Sequence, residues 1–278
     1  MVKTTLPAFQ TTAYRYPFEQ TILTGTILLV LAVITLTTAM TLSVAGFFIL
    51  LMLVITYLAN NSQHSAVVQH SYQINTHSPQ DLTKLVNTCQ ARIQPGQVQI
   101  YVAPSSQLNA YTFGISGPKV IVLYSSLFER MDADELSFIL GHEMGHVSLG
   151  HTWLNSLVGG MAGIPTSFGA SVLLKACLLW WNRACEYSAD RAGLLACNNP
   201  AKAISTLVKL ASGGKIQSQA DLIKTLRLIE SQEENVVNQL GEVLSNHPMI
   251  IRRIQALRQY TNSAQYKRLQ ARVNQNLN

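Results

Sequence analysis

The sequence predicts an α+β protein that is mostly helical, with one small β-sheet, preceded by a transmembrane helical hairpin. Three observations predict it. Thr21 to Ala59 is a run of 39 residues without a charge, two short stretches between 97 and 124 are rich in β-formers, and everything after residue 182 has helical patterning. With 278 residues, 48% of them apolar, the chain can bury one substantial core beside its membrane helices.

The net charge of +6 is unevenly placed. Residues 1–200 carry nine Lys/Arg against nine Asp/Glu, and residues 201–278 carry eleven against five. Arg252, Arg253, Arg258, Lys267, Arg268 and Arg272 fall at spacings of solvated helix faces, with no aromatic platform between them, so no nucleic-acid partner is expected. Cys89, Cys177, Cys185 and Cys197 include no CxxC pair and are too irregular for a disulfide framework, which points to a reducing compartment.

In chain order, residues 1–20 form an N-terminal cytoplasmic segment and residues 21–59 the hairpin. At about 1.5 Å per residue the charge-free run is nearly twice the ~30 Å of a bilayer's hydrocarbon, so it divides into helices near 21–37 and 42–58. It is also too long for a signal peptide's apolar region. Two crossings leave both flanks on one side, and Lys3, Arg15 and the later basic residues place that side in the cytoplasm. The lipid bilayer is thus the first expected partner. Residues 60–78 read as a polar linker whose His64, His70 and His77 lack a chelating spacing.

The next domain, residues 79–262, opens with a helix at Ser78-Pro79, with proline in its first position, that ends at Pro95-Gly96. Strands follow at 97–102 and 119–124, the second after a Ser116-Gly117-Pro118 turn. Asp132 and Glu135 form a capping box for a helix whose apolar face is Leu136, Ile139 and Leu140. Further helices are expected near 182–196, 200–211, 220–244 and 248–260, before a basic C-terminal tail at 263–278.

The Asp132-capped helix carries Gly141-His142-Glu143-Met144-Gly145-His146. Histidines four apart share a helical face and can converge on one metal ion, zinc by default, while Glu143 is offset to reach a water at the metal as general base. A catalytic zinc takes three protein ligands, so a third is needed. Arg183-Ala184-Cys185-Glu186-Tyr187-Ser188-Ala189-Asp190 offers two carboxylates four apart: Glu186 fits the third ligand, and Asp190 fits a group orienting a ligand histidine.

The pair HExxH and ExxxD resembles the membrane gluzincin metalloproteases typified by bacterial HtpX and the CAAX prenyl endopeptidases. The similarity runs from about residue 79 to 260. It takes in Asn109-Ala110-Tyr111-Thr112-Phe113-Gly114, Asp190-Arg191-Ala192-Gly193, and His247-Pro248 with Arg253. The resemblance implies a zincin-like domain with one Zn2+ per chain. It also implies a polypeptide substrate bound as an extended strand by Asn109 and an edge strand at 119–123. His247 would stand near the scissile carbonyl as an oxyanion group, with Arg253 as local support; His247 equally fits a turn cap before Pro248. Quality control of membrane proteins is the expectation for an HtpX-like chain, since the additional helices of the prenyl endopeptidases have no counterpart here. Two other readings are a zinc-bearing adaptor that no longer cuts, against which Glu143 stands, and a zinc hydrolase of a non-peptide substrate.

Because His146 and Glu186 would meet at one ion, the chain between them can cross a membrane only an even number of times. The apolar stretch Trp153 to Trp181 has 29 residues where two spans need about 40. It is therefore expected not to span, and to form two helices broken near Gly159-Gly160 to Pro165. Those helices lie either at the interface, with Trp153, Trp180 and Trp181 as anchors, or in the core.

Overall fold

A computed structural model describes residues 11–40, 44–114, 118–153, 169–213, 215–216, 218–231 and 250–277. After a 3-10 turn at Thr11–Tyr14, helix α1 (Glu19–Met40) and helix α2 (Val44–Gln69) hold the apolar run. Helix α1 is long and apolar enough over Glu19–Leu36 to cross a bilayer, and only 11% of that window is buried. Helix α2 touches α1 and exposes Phe47, Leu50, Val54 and Leu58. It also continues through most of the stretch read as linker, so His64 is helical and stacks on Phe113 at 3.9 Å between ring centroids.

Strand β1 (Tyr72–Gln73) leads to α3 (Gln80–Ile93), with Pro79 at the N-cap, one residue earlier than the sequence suggests. Strands β2 (Val98–Ala103), β3 (Ala110–Phe113) and β4 (Lys119–Tyr124) complete a four-stranded sheet of order β1-β2-β4-β3. Strand β4 pairs in parallel with β2, from Val98 opposite Lys119 to Ala103 opposite Tyr124, and antiparallel with β3, from Ala110 opposite Leu123 to Phe113 opposite Val120. This corrects the expected substrate-binding edge. Residues 119–123 have both main-chain rows occupied, and the edge strand on that side of the sheet is β3, a four-residue segment too short and too evenly half-buried to show an alternating pattern.

Helix α4 (Ser126–Arg130) precedes α5 (Ala133–Ser148), which opens on the complete Asp132–Glu135 capping box. Helix α6 (Gly169–Cys197) runs unbroken through residue 182, where a separate helix was expected to begin, so the second of the two helices expected in the Trp153–Trp181 stretch is continuous with the helix that carries Glu186. Its residues separate by face: Trp181 is buried, whereas Trp180 and, outside the helix, Trp153 are exposed. The expected break at 159–165 lies outside the described residues.

Helix α7 (Pro200–Ala211), helix α8 (Gln219–Ser231), helix α9 (Ile250–Thr261) and helix α10 (Ala264–Leu277) follow. The stretch read as a basic tail is α10, which buries Tyr266, Leu269 and Val273 in the common core while Lys267, Arg268 and Arg272 face solvent. Cys89, Cys185 and Cys197 are buried free thiols.

The core is built around α5 against α6, at backbone contact distance. A Cβ on Gly141 would stand 2.2 Å from Ala196 Cβ, one on Gly145 2.6 Å from Ala192 Cβ, and one on Gly193 2.8 Å from the Phe138 carbonyl oxygen. Only helices with small residues facing each other can approach so closely. Gly193→Ala is expected to force the pair apart and to cost about 1–3 kcal/mol, as overpacking of a filled core does. The test is the midpoint of urea denaturation. Gly25→Ala, where nothing lies within 4 Å, serves as the control that does not lower it.

Candidate metal centre

Helix α5 projects His142 and His146 to one side, one turn apart, and α6 brings Glu186 against them. His142 Nε2 and His146 Nε2 are 3.1 Å apart; Glu186 lies 3.6 Å from the first through Oε2 and 3.4 Å from the second through Oε1. One ligand atom from each of the three lies within 4.8 Å of the others.

The far side of each imidazole is also engaged. His142 Nδ1 lies 3.1 Å from Asp190 Oδ1, one turn beyond Glu186 on α6. An ionised carboxylate only accepts, so His142 Nδ1 carries the hydrogen and Nε2 is left with its lone pair. His146 Nδ1 lies 2.9 Å from Nδ1 of His151, whose Nε2 lies 3.1 Å from Glu19 Oε1. Burial pushes the His151 imidazole down to about 4, so the ring is neutral and has one hydrogen to donate. Two imidazole Nε2 atoms and a carboxylate thus converge on one point, a donor set that suits a divalent metal with N/O preference.

Arg253, on α9, closes the opposite side. Its Nε and Nη2 donate to the two oxygens of Asp190 at 2.8 and 2.6 Å, and Nη1 is 2.8 Å from Glu186 Oε2. Burial alone would raise the Asp190 and Glu186 carboxyls. The Arg253 guanidinium outweighs it, holding Asp190 below and Glu186 well below the usual carboxylate range. The spacing of Arg253 in the sequence is that of a solvated basic helix face, while the family resemblance implied local support near the site; α9 turns it inward, onto Asp190 and Glu186.

Glu143 is 6% exposed and lines the same cleft, a cavity of about 350 Å³ bordered by Asn109, Tyr111, Thr112 and the three clustered side chains. The Thr112 hydroxyl, on β3, donates to Glu143 Oε2. Asn109 is exposed at the entrance of that strand. The structure therefore brings together Glu143, His142, His146, Glu186, Asp190 and Asn109, while His247 lies outside the described residues. Sequence reasoning missed His151, Glu19 and Thr112. The first two left a trace: His151 follows His146 by five residues in the same segment, and Glu19 is the acid bordering the charge-free run.

Arg253→Met is expected to lower stability by about 3 kcal/mol, the lower end for a broken buried pair because Arg253 keeps 17% of its side-chain exposure. The difference should be full at neutral pH. Asp190 and Glu186 are depressed in the folded parent, so the stability they contribute is present above the ordinary carboxylate values and is lost as pH falls through the folded ones. Urea denaturation of both proteins at a series of pH values should show the gap closing below about pH 4.

A family model described as peptidase family M48 matches residues 77–261. The plastoglobule-localized metallopeptidase 48 of Arabidopsis thaliana is 34% identical over 190 residues, covering 63% of this chain and 55% of that protein. Protease HtpX of Acinetobacter baumannii is 28% identical over 198 residues, 58% of this chain and 65% of its own length. A CAAX prenyl protease 1 homolog of Dictyostelium discoideum is 29% identical over 158 residues, 53% of this chain and 34% of its own length. This chain thus spans about a third to two thirds of those relatives. With the family match extending over most of the chain, from before α3 to the end of α9, this protein belongs to peptidase family M48.

Proposed function

We propose that the chain is a membrane-anchored, zinc-dependent endopeptidase. His142 and His146, through the Nε2 atoms that face each other, and Glu186, through its carboxylate, would hold one Zn2+. The observation that carries this reading is the placement of Glu143. A carboxylate one residue beyond the first clustered histidine opens into the same cleft, beside an edge strand.

When bound, zinc supplies a Lewis acid that polarises a peptide carbonyl and acidifies a water. Glu143 takes the proton of the attacking water and then delivers it to the leaving nitrogen. The Thr112 hydroxyl fixes which carboxylate oxygen is free to do so. Asp190 orients His142, and Arg253 balances the charge of Asp190 and Glu186. An extended polypeptide adds to β3 through main-chain hydrogen bonds, with Asn109 at the end of that strand. His247 is assigned to the oxyanion. No nucleophilic side chain is needed, and burial raises the Cys185 thiol, which stays protonated.

Both α1 and α2 cross the bilayer, which leaves the catalytic domain on the side of the N-terminal segment, the cytoplasm by the distribution of basic residues. Substrates are then unfolded or damaged polypeptides at the membrane, consistent with a role in membrane-protein quality control.

The test is cleavage of an unfolded model protein by the zinc-loaded chain in detergent, with zinc content measured in parent and Glu143→Gln alike. The variant should keep zinc and lose turnover by a factor on the order of 10²–10⁴, the usual contribution of a general base. Stoichiometric zinc without cleavage in the parent would sink the peptidase reading in favour of an adaptor, and turnover of esters alone would favour a non-peptide hydrolase.

A further inference from the structure

Glu19 is an acid with 1% exposure at the first turn of an otherwise apolar helix, a costly position unless every lone pair is matched. It is matched from three directions. Arg15, one turn earlier in the chain, and the Ser188 hydroxyl of α6 both donate to it, and His151 Nε2 stands 3.1 Å from Oε1. The segment before it is keyed to the same two helices. The Tyr14 hydroxyl bonds to that of Ser148, Arg15 donates to the Leu149 carbonyl at 3.2 Å, the Tyr16 amide donates to Ser188 at 2.7 Å, and Arg191 donates to the Arg15 carbonyl at 3.1 Å.

The hydrogens along this path have one consistent arrangement. Glu19, compensated by Arg15, only accepts, so the hydrogen of His151 is on Nε2. His151 Nδ1 is then an acceptor, and His146 Nδ1 donates to it across 2.9 Å. That leaves the lone pair of His146 on Nε2, facing His142 and Glu186.

We propose that Glu19 and His151 are positioning residues for the metal centre: the first turn of the anchoring helix fixes the tautomer and ring orientation of His146 through His151. This inference rests on the zinc-centre reading above. It makes the juxtamembrane residues 15–19 part of the metal site although they lie more than 120 residues from His142 in sequence. A rival use of the same side chains is a second metal site, since Glu19, His151 and Cys185 offer ligand atoms within 4.8 Å of one another. Against it, Glu19 already accepts from Arg15 and Ser188, and both nitrogens of His151 are engaged.

The experiment measures zinc affinity of the full chain in detergent by competition with a chromophoric chelator, for the parent, Glu19→Gln, His151→Phe and Tyr14→Phe. Zinc stoichiometry is measured beside it, together with the visible d–d spectrum of the cobalt-loaded proteins. Losing a group that orients a metal-binding histidine weakens metal binding about 10–100-fold. His151→Phe should fall in that range with an altered cobalt spectrum, and Glu19→Gln near its lower end. Tyr14→Phe, which loosens the N-terminal segment without cutting the path, should lower the melting temperature yet leave zinc affinity within about twofold, well short of the loss expected for the path itself.

Unchanged affinity in His151→Phe and Glu19→Gln, or an equal loss in Tyr14→Phe, would overturn the assignment. So would two zinc ions per chain falling to one in Cys185→Ser. A parent that takes up no zinc would overturn the metal-centre reading itself, and this inference with it.

Discussion

The site depends on how closely α5 and α6 approach. Gly141, Gly145 and Gly193 face Ala196, Ala192 and the Phe138 carbonyl at distances that leave no room for another carbon. That contact sets His142 and His146 on one helix against Glu186 and Asp190 on the other. A helix pair held apart by leucines, at the usual 8–10 Å between axes, would leave carboxylates and imidazoles of this length to meet only by stretching. The small residues between the functional ones are therefore part of the site's geometry.

Close packing buries charge, and the surroundings of the cleft are organised to compensate it. Asp190 is answered by His142 and Arg253, Glu135 by Lys209 and Ser205, and Glu19 by Arg15, Ser188 and His151. The two histidines facing each other are each backed by a chain of bonds ending on an acid, one short and ending on α6, the other longer and ending on α1. In a low-dielectric interior such chains hold ring orientations more firmly than single bonds do. The arrangement ties α1, the α5/α6 pair and α9 together through one set of buried polar groups.

Legibility in the sequence follows the range of the interaction. The capping box at Asp132–Glu135, the strand at 119–124 and the shared face of His142 and His146 rest on contacts within a few residues, and each could be read from spacing alone. The continuity of α6 across residue 182 could not, because nothing local distinguishes one long helix from two that abut there. The edge strand was misassigned for a related reason. Which side of β4 is open depends on whether β3 pairs with it, a fact absent from the composition of residues 119–123. Arg253 shows the same limit: its helical spacing matches its solvated neighbours, and only the docking of α9 turns it inward.

The sequence by itself determined the types of chemistry available: two histidines one helical turn apart with an acid beside the first, a pair of acids four apart, and a charge-free run long enough for two helices. These are periodic properties of a chain that has only to form its helices. The tertiary structure alone decided which groups complete the cluster. Glu19, Thr112, His151 and Arg253 come from four different elements or connections, and no spacing rule joins them. They meet because burying a carboxylate or an imidazole is tolerated only where the fold supplies a partner for each lone pair and each proton.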